Sequence, residues 1–103
     1  MASLSILVVG KSIEILNVLK KSIEKKNDWK AIVSTNYFEA EKLLKNHFFD
    51  LLLLSSGIED KEEIEIRNTA LNCQPELKIL QHYGGGSGLL YSEIEFILTK
   101  KIV

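Results

Sequence analysis

Four consecutive leucines near the middle of the chain constrain its fold more than any other feature. They lie in the segment 50–55, where only the two ends, Asp50 and Ser55, are polar. A strand with an unbroken apolar run is buried on both faces, which is typical of the interior of a parallel sheet. A second run of this kind, Leu4–Val9, precedes it. The sequence therefore predicts a parallel sheet that is covered on both sides.

Two further strands and four helical segments alternate with these runs. Segment 29–35 is less apolar, as expected at a sheet edge, and segment 77–82 follows Pro75, which ends the helix before it. The predicted helices have apolar residues three or four positions apart and cover about 12–26, 36–48, 59–72 and 89–100. This alternation predicts an α/β fold of four parallel strands and about four helices, in a single domain over residues 1–103.

Local patterns predict how the helices begin and which side chains they bury. Ser12, and either Thr35 or Asn36, are in position to cap helices, and Glu39 could complete a capping box with Asn36. Asp60 is a candidate cap of the third helix, and Cys73 is expected to be half-buried near its end. The expected buried stripes consist of Phe38, Leu43, Leu44 and either His47 or Phe48 in the second helix, and of Ile64, Ile66, Ala70 and Leu71 in the third.

Composition excludes several classes of function. With 13 Lys+Arg against 14 Asp+Glu and a net charge of −1, the chain lacks the basic surface of a protein that binds nucleic acid or an anionic membrane. Cys73 is the only cysteine, so no intrachain disulfide can form. No apolar run is long enough for a signal peptide or a membrane span, and we expect a cytoplasmic domain.

Several segments resemble the response-regulator receiver domain. Ile6-Leu7-Val8-Val9 is similar to its first strand, and Phe49-Asp50 followed by four leucines is similar to its third. Segment 37–44 resembles its second helix, and segment 75–80 resembles the approach to its fourth strand. The resemblance covers about residues 4–82. It implies a flavodoxin-like three-layer sandwich with strand order 2-1-3-4, in which a ligand would bind at the carboxyl ends of the strands.

The chain departs from the receiver pattern at the residues that carry the chemistry. Gly10 and Lys11 stand where the family has the acidic pair that holds Mg²⁺, and Ser55 stands in place of the phosphoacceptor aspartate. The family's lysine on a fifth strand has no counterpart. Phosphoryl transfer to a carboxylate needs an aspartate nucleophile and a hard cation. The resemblance therefore implies a pseudo-receiver with no metal and no cofactor, shortened at its carboxyl-terminal side.

Two interpretations of the polar and glycine-rich residues remain open. Lys11 either replaces the charge of the family's metal or attracts an anionic ligand. The run 84–88 is either a connector with Ser87 as a helix cap, a contact loop for a protein partner, or a cradle of backbone N–H groups for an anion. The residues of the anion hypothesis, a site for a nucleotide or phosphorylated metabolite, are Lys11, Ser12, Ser55, Gly84, Gly85, Gly86 and Ser87.

Enzymatic activity is not expected. Gly10-Lys11-Ser12 resembles the end of a Walker A loop, but Ser5 replaces the required earlier glycine. Ser55 and His82 lack an acid to orient the histidine and a nucleophile elbow. The histidines and the single cysteine do not have metal-ligand spacing.

The carboxyl-terminal side of the chain predicts an interface. Without a fifth strand, the fourth becomes an edge, and edges are either shielded or used for pairing. The residues expected there, in the last strand and the last helix, are Ile79, Leu89, Tyr91, Phe96, Leu98 and Ile102. Together with the resemblance to the receiver domain, this implies a protein-interaction module of a bacterial two-component signalling pathway, with a signalling protein as partner or a homodimer.

Overall fold

The four predicted strands form one parallel sheet. A computed structural model describes residues 4–26, 28–55 and 57–82. Its strands are β1 (Leu4–Val9), β2 (Trp29–Ser34), β3 (Leu51–Ser55) and β4 (Lys78–His82), in the order β2-β1-β3-β4. In the register, Ile6 of β1 lies between Ala31 of β2 and Leu51 of β3. The predicted strand order is confirmed, and each strand boundary falls within one residue of its prediction.

Helices cover both faces of this sheet. They are α1 (Ile13–Glu24), α2 (Tyr37–Asn46) and α3 (Asp60–Cys73). Every residue of β3 is buried, and its leucines alternate between the two faces. Leu53 joins a cluster with Leu16 and Leu19 of α1. Leu54 joins the opposite cluster, with Leu44 of α2 and Ile66 of α3. The three-layer arrangement is confirmed.

The predicted helix caps are partly correct. The Ser12 hydroxyl accepts the Ile15 N–H at 3.4 Å, and Asn36 Oδ1 accepts the N–H groups of Phe38 at 2.8 Å and Glu39 at 3.4 Å. The capping box does not form, because Glu39 Oε1 accepts instead from the Ser34 hydroxyl at 2.9 Å. Helix α3 begins after Glu59 without a side-chain cap, so the prediction of Asp60 as the cap is wrong.

The predicted buried stripes were wrong at the aromatic residues. Phe38 is 63% exposed and Phe48 is 76% exposed, and His47 is also exposed. The core of this face is completed instead by Ala40 and by Phe49. Helix α2 ends at Asn46 and His47 has an extended backbone, so Phe48 and Phe49 lie outside the helix and do not follow its spacing. In α3, Ile66 and Ala70 are buried as predicted, whereas Ile64, Leu71 and Cys73 are exposed.

The last predicted elements lie outside the described residues. These are the glycine-rich run with Gly84, Gly85, Gly86 and Ser87, and the final helix with Leu89, Tyr91, Phe96, Leu98 and Ile102. Within residues 4–82, β4 forms an edge of the sheet. Ile79 of this strand is partly buried against the α2–α3 cluster. No helix within the described ranges has the length and apolar character needed to cross a bilayer.

Candidate functional site

The carboxyl ends of β1 and β3 bring the predicted site residues together. These strands are neighbours, and Val9 is in register with Leu54. Gly10, Lys11 and Ser12 follow β1 directly, and Ser55 is the last residue of β3. On the other side of β3, Ser55 is in register with His82. The arrangement places this end of the sheet at the switch point where α/β proteins bind ligands.

Gly10 is packed directly against Ser55. A Cβ atom at position 10 would lie 2.8 Å from Ser55 Cβ and 2.9 Å from Leu16 Cδ2, both of which are closer than normal contact. Gly10 does not have a positive φ, so the close approach, and not the backbone conformation, requires glycine here. Ser55 is itself 2% exposed. The space that a side chain at position 10 would need is therefore filled.

Lys11 is neutralised by a carboxylate on α3. Its Nζ lies 2.7 Å from Glu62 Oε1 and donates a hydrogen bond of 2.8 Å to Oε2. The hydrogen bond from Lys11, with a smaller contribution from its charge, holds the pKa of Glu62 below its ordinary value despite the opposing effect of burial. The Lys11 side chain is 43% exposed, so solvent screens this ion pair and its contribution to stability is small. The charge at this position is thus matched within the protein.

Ser12 and Ser34 are also used within the fold. The Ser12 hydroxyl caps α1. The Ser34 hydroxyl lies 2.8 Å from the Asn36 carbonyl oxygen and 2.9 Å from Glu39 Oε1, and it accepts the Asn36 N–H at 3.3 Å. The Ser34 carbonyl in turn accepts the Gly10 N–H at 3.2 Å. These bonds order the loops after β1 and β2.

Polar contacts between α2 and α3 were not predicted from the sequence. Thr69 Oγ1 donates to Glu41 Oε2 at 2.7 Å. Partial burial, followed by the nearby carboxylate of Glu65, raises the pKa of the Tyr37 hydroxyl. The residues of each contact are far apart in sequence, and exposed acidic residues are common, so no local signal identifies them.

Metal ligands are not grouped in the described part of the chain. Over residues 4–26, 28–55 and 57–82, no cluster of three or more His, Cys, Asp or Glu side chains could hold a metal ion. The two positions that follow β1 offer a glycine and a paired lysine, which do not suit a hard cation that prefers oxygen ligands.

Comparison of the chain with solved structures identifies its fold. The chain is similar to a response regulator receiver domain protein (CheY-like) from Methanospirillum hungatei JF-1, with a TM-score of 0.71 and 22% identity over 89% of this chain and 77% of that one. It is also similar to a putative pilus assembly-related protein from Burkholderia pseudomallei K96243, with a TM-score of 0.60 and 16% identity over 91% and 72% of the two chains. No protein-family model matches the sequence, and no curated protein does.

The predicted resemblance is confirmed at the level of the fold. The sheet order and the layers are those of a CheY-like receiver domain. At these identities the likeness concerns the fold alone. The chemistry must be argued from the residues at the carboxyl ends of β1 and β3.

Proposed function

We propose that this chain is a phosphorylation-independent pseudo-receiver, which acts as a protein-interaction and regulatory module in bacterial signal transduction. The observation that carries the proposal is the contact between Gly10 and Ser55. In a receiver domain these positions provide a metal ligand and the phosphoacceptor. Here they provide no carboxylate, and the space that a Cβ at position 10 would need is occupied by the side chains of Ser55 and Leu16.

The electrostatics at this end of the sheet support the same conclusion. A divalent cation needs several oxygen ligands and avoids an adjacent positive charge. Lys11 places an ammonium group at the second position after β1, and Glu62 compensates it. Ser55 is buried, so its hydroxyl is not presented to a phosphodonor. Regulation would then depend on contacts with a protein partner of the signalling pathway, in the cytoplasm and without catalysis.

The edge of the sheet at β4 supports an interaction role. Ile79 packs inward, but β4 has a neighbouring strand on one side only among the described residues. A partner or a second copy could add a strand here, together with the segment that holds Leu89, Tyr91, Phe96, Leu98 and Ile102.

The alternative is an anion-binding site, and the geometry favours it less. Two of its polar side chains already have partners, since Lys11 is paired with Glu62 and Ser12 caps α1. A ligand phosphate would have to compete with a bidentate carboxylate for the lysine.

An amide NMR titration separates these functions. The first arm adds Mg²⁺ and beryllofluoride, with a phosphorylatable receiver domain as the positive control. We expect no saturable shifts at Gly10, Lys11 or Ser55, because neither a metal ligand nor an acceptor carboxylate is present. Saturable shifts at these residues would overturn the proposal.

The second arm adds nucleotides and phosphorylated metabolites. Here Lys11→Met removes the only charged side chain of the hypothetical anion site. Lys61→Met, which removes an exposed lysine of α3, is the matched control. If a ligand binds the original chain and Lys61→Met but not Lys11→Met, the anionic-ligand site is correct and the proposed interaction module is wrong. An absence of binding in both variants and in the original chain agrees with the proposal.

A further inference from the structure

A cavity lies at the end of the sheet opposite to the candidate site. Its volume is about 330 Å³, and its lining includes Leu4, Phe48, Phe49, Pro75 and Leu77. These residues come from the amino end of β1 and from the loops before β3 and β4. Its lining is mostly apolar. Because it lies at the amino ends of the strands, the length of the strands separates it from Gly10 and Ser55.

Phe48 lines this cavity but does not pack into the core of the chain. It is 76% exposed, while the neighbouring Phe49 is 2% exposed and fills the core. A large aromatic side chain held in water beside an apolar cavity is typical of a contact residue.

The backbone that carries Phe48 is held in place. Gln74 Nε2 donates to the carbonyl oxygens of Leu44 at 2.9 Å and His47 at 2.7 Å, and Gln74 Oε1 accepts the Phe49 N–H at 2.9 Å. One side chain thus fixes the residues on both sides of Phe48. A contact residue on a fixed segment loses little conformational entropy on binding.

The cavity lining carries charges of both signs, from Asp50, Glu76 and Lys78. Asp50 Oδ2 accepts the Ser5 N–H at 2.9 Å within the fold. Glu76 and Lys78 form no ion pair with another residue of the described ranges. In a contact with two-fold symmetry, each surface meets a copy of itself. If residue i of the first chain faces residue j of the second, then residue j of the first chain also faces residue i of the second. An acid and a base on one surface are then complementary to a second copy of the same surface.

We propose that this face binds a second copy of the chain, with Phe48 of each copy entering the cavity of the other. Glu76 of each chain faces Lys78 of its partner at the edge of the contact. The inference goes beyond the proposed function, since it holds whether or not the chain is a pseudo-receiver. Its centre, at Phe48, lies at the amino ends of the strands, and β4 contributes only its first residue, Lys78.

Sedimentation of the full chain over a wide range of concentration tests the proposal. We expect a reversible monomer–dimer equilibrium, weakened about tenfold or more by Phe48→Ser, as for a central aromatic contact residue. Phe38→Ser is the matched control, because Phe38 is also an exposed phenylalanine but lies on α2, away from the cavity. Phe38→Ser should leave the equilibrium unchanged.

Charge reversal tests the symmetry of the contact. Glu76→Lys and Lys78→Glu should each weaken the dimer, because like charges then face each other. The double variant should restore it, since opposite charges again meet across the two-fold axis. Thermal melting of each variant as a monomer checks that the fold is intact.

Three results would overturn the proposal. The first is a monomer at every concentration. The second is a dimer that is unaffected by Phe48→Ser, which would place the interface elsewhere, for example at β4. The third is a monomer in which Phe48 and Leu77 amide signals shift on addition of a small apolar molecule such as indole, which would make the cavity a ligand site.

Discussion

Gly10 and Ser55 determine what the carboxyl end of the sheet can hold. The missing side chain at position 10 lets the loop after β1 approach the end of β3, and Ser55 and Leu16 occupy the space that a side chain would need. Reintroducing an acidic residue at position 10 alone would therefore distort the loop before it created a metal ligand.

A double-mutant cycle measures this contact. Gly10→Ala should destabilise the protein by about 1–3 kcal/mol, as expected when an extra carbon is forced into a packed site. In a Ser55→Gly background, which removes the nearest Cβ, the cost should fall by on the order of 1 kcal/mol. Ser55→Ala keeps that Cβ and is the control, in which the cost should stay the same. Urea denaturation gives each free energy of unfolding. Equal costs in all three backgrounds would mean that Ser55 does not limit position 10.

The Lys11–Glu62 pair predicts a dependence of stability on pH. Because Lys11 lowers the pKa of Glu62 in the folded protein, the pair stabilises the fold above the unfolded value of about 4.3, and this stabilisation is lost as the pH falls through the folded pKa. The difference in stability between the original chain and Lys11→Met should be largest near neutral pH and should shrink in acid.

Urea denaturation at several pH values, with Lys61→Met as the control, checks this prediction. Lys61 is an exposed lysine on the same helix, and its replacement should give a smaller and flatter difference. A Lys11→Met difference that persists unchanged at low pH would show that the Lys11–Glu62 ion pair is not its source.

At the scale of elements, the edge strand β2 is protected by the helix that precedes it. The Ala31 N–H donates to Glu24 Oε2 at 3.1 Å, and the Trp29 N–H donates to the Lys26 carbonyl oxygen at 3.1 Å. These amides alternate along β2 and point away from β1. An open edge would offer them to another chain, so these contacts reduce pairing at this side of the sheet.

Removing the protecting side chain should expose the β2 edge. Glu24→Ala leaves the Ala31 N–H without its acceptor, and we expect a loss of about 0.5–1.5 kcal/mol together with faster aggregation on mild heating. Light scattering and urea denaturation measure the two effects. Glu24→Gln keeps a side-chain oxygen acceptor and should behave more like the original chain. If Glu24→Ala and the original chain scatter equally, the edge is protected by other means.

Elements with a strong local signal could be predicted from the sequence, and their side-chain contacts could not. The leucines of β3 are apolar on both faces, and Ser12 and Asn36 cap helices through atoms two or three residues away. Helical spacing predicts both Phe38 and Phe48 in the core. For Phe48 it fails because α2 ends at Asn46, whereas Phe38 lies in the first turn of α2 and is exposed there. The true core residue, Phe49, lies outside the helix, and its N–H is bound by Gln74, which is 25 positions away.

At the scale of the whole molecule, the two faces of the sheet share its two central strands, β1 and β3. Leu53 and Leu54 are both fully buried, and they belong to clusters on opposite faces. Since both clusters depend on β3, loss of either should unfold the entire domain and not one layer of it.

Leucine truncations on the two faces test this cooperativity. Leu53→Ala and Leu54→Ala should each cost about 2–5 kcal/mol. In both variants, denaturation followed by far-ultraviolet circular dichroism should coincide with denaturation followed by the fluorescence of Trp29, the single tryptophan, which packs on the α1 face. A Leu54→Ala transition in circular dichroism that precedes the change in Trp29 would show that the layers unfold separately.

The candidate site was predictable in its position and only partly in its geometry. The alternation of strands and helices brings Gly10 and Ser55 to one end of the sheet in any fold of this order. The partner of Lys11 lies 51 positions away, on a helix with many acidic residues. Only the packing of α3 selects Glu62 among them, so a single sequence does not contain this information.

Helix α3 is attached to the rest of the protein at both of its ends. Near its beginning, Glu62 holds Lys11, and just after its end, Gln74 holds the backbone of residues 44–49. The helix has 14 residues and a length of about 21 Å, so it spans the sheet from one end to the other. Because α3 forms polar contacts at both ends, it cannot shift along the sheet without breaking one of them. Helix α3 thus connects the candidate site to the distant cavity, alongside β1, which also runs from one to the other.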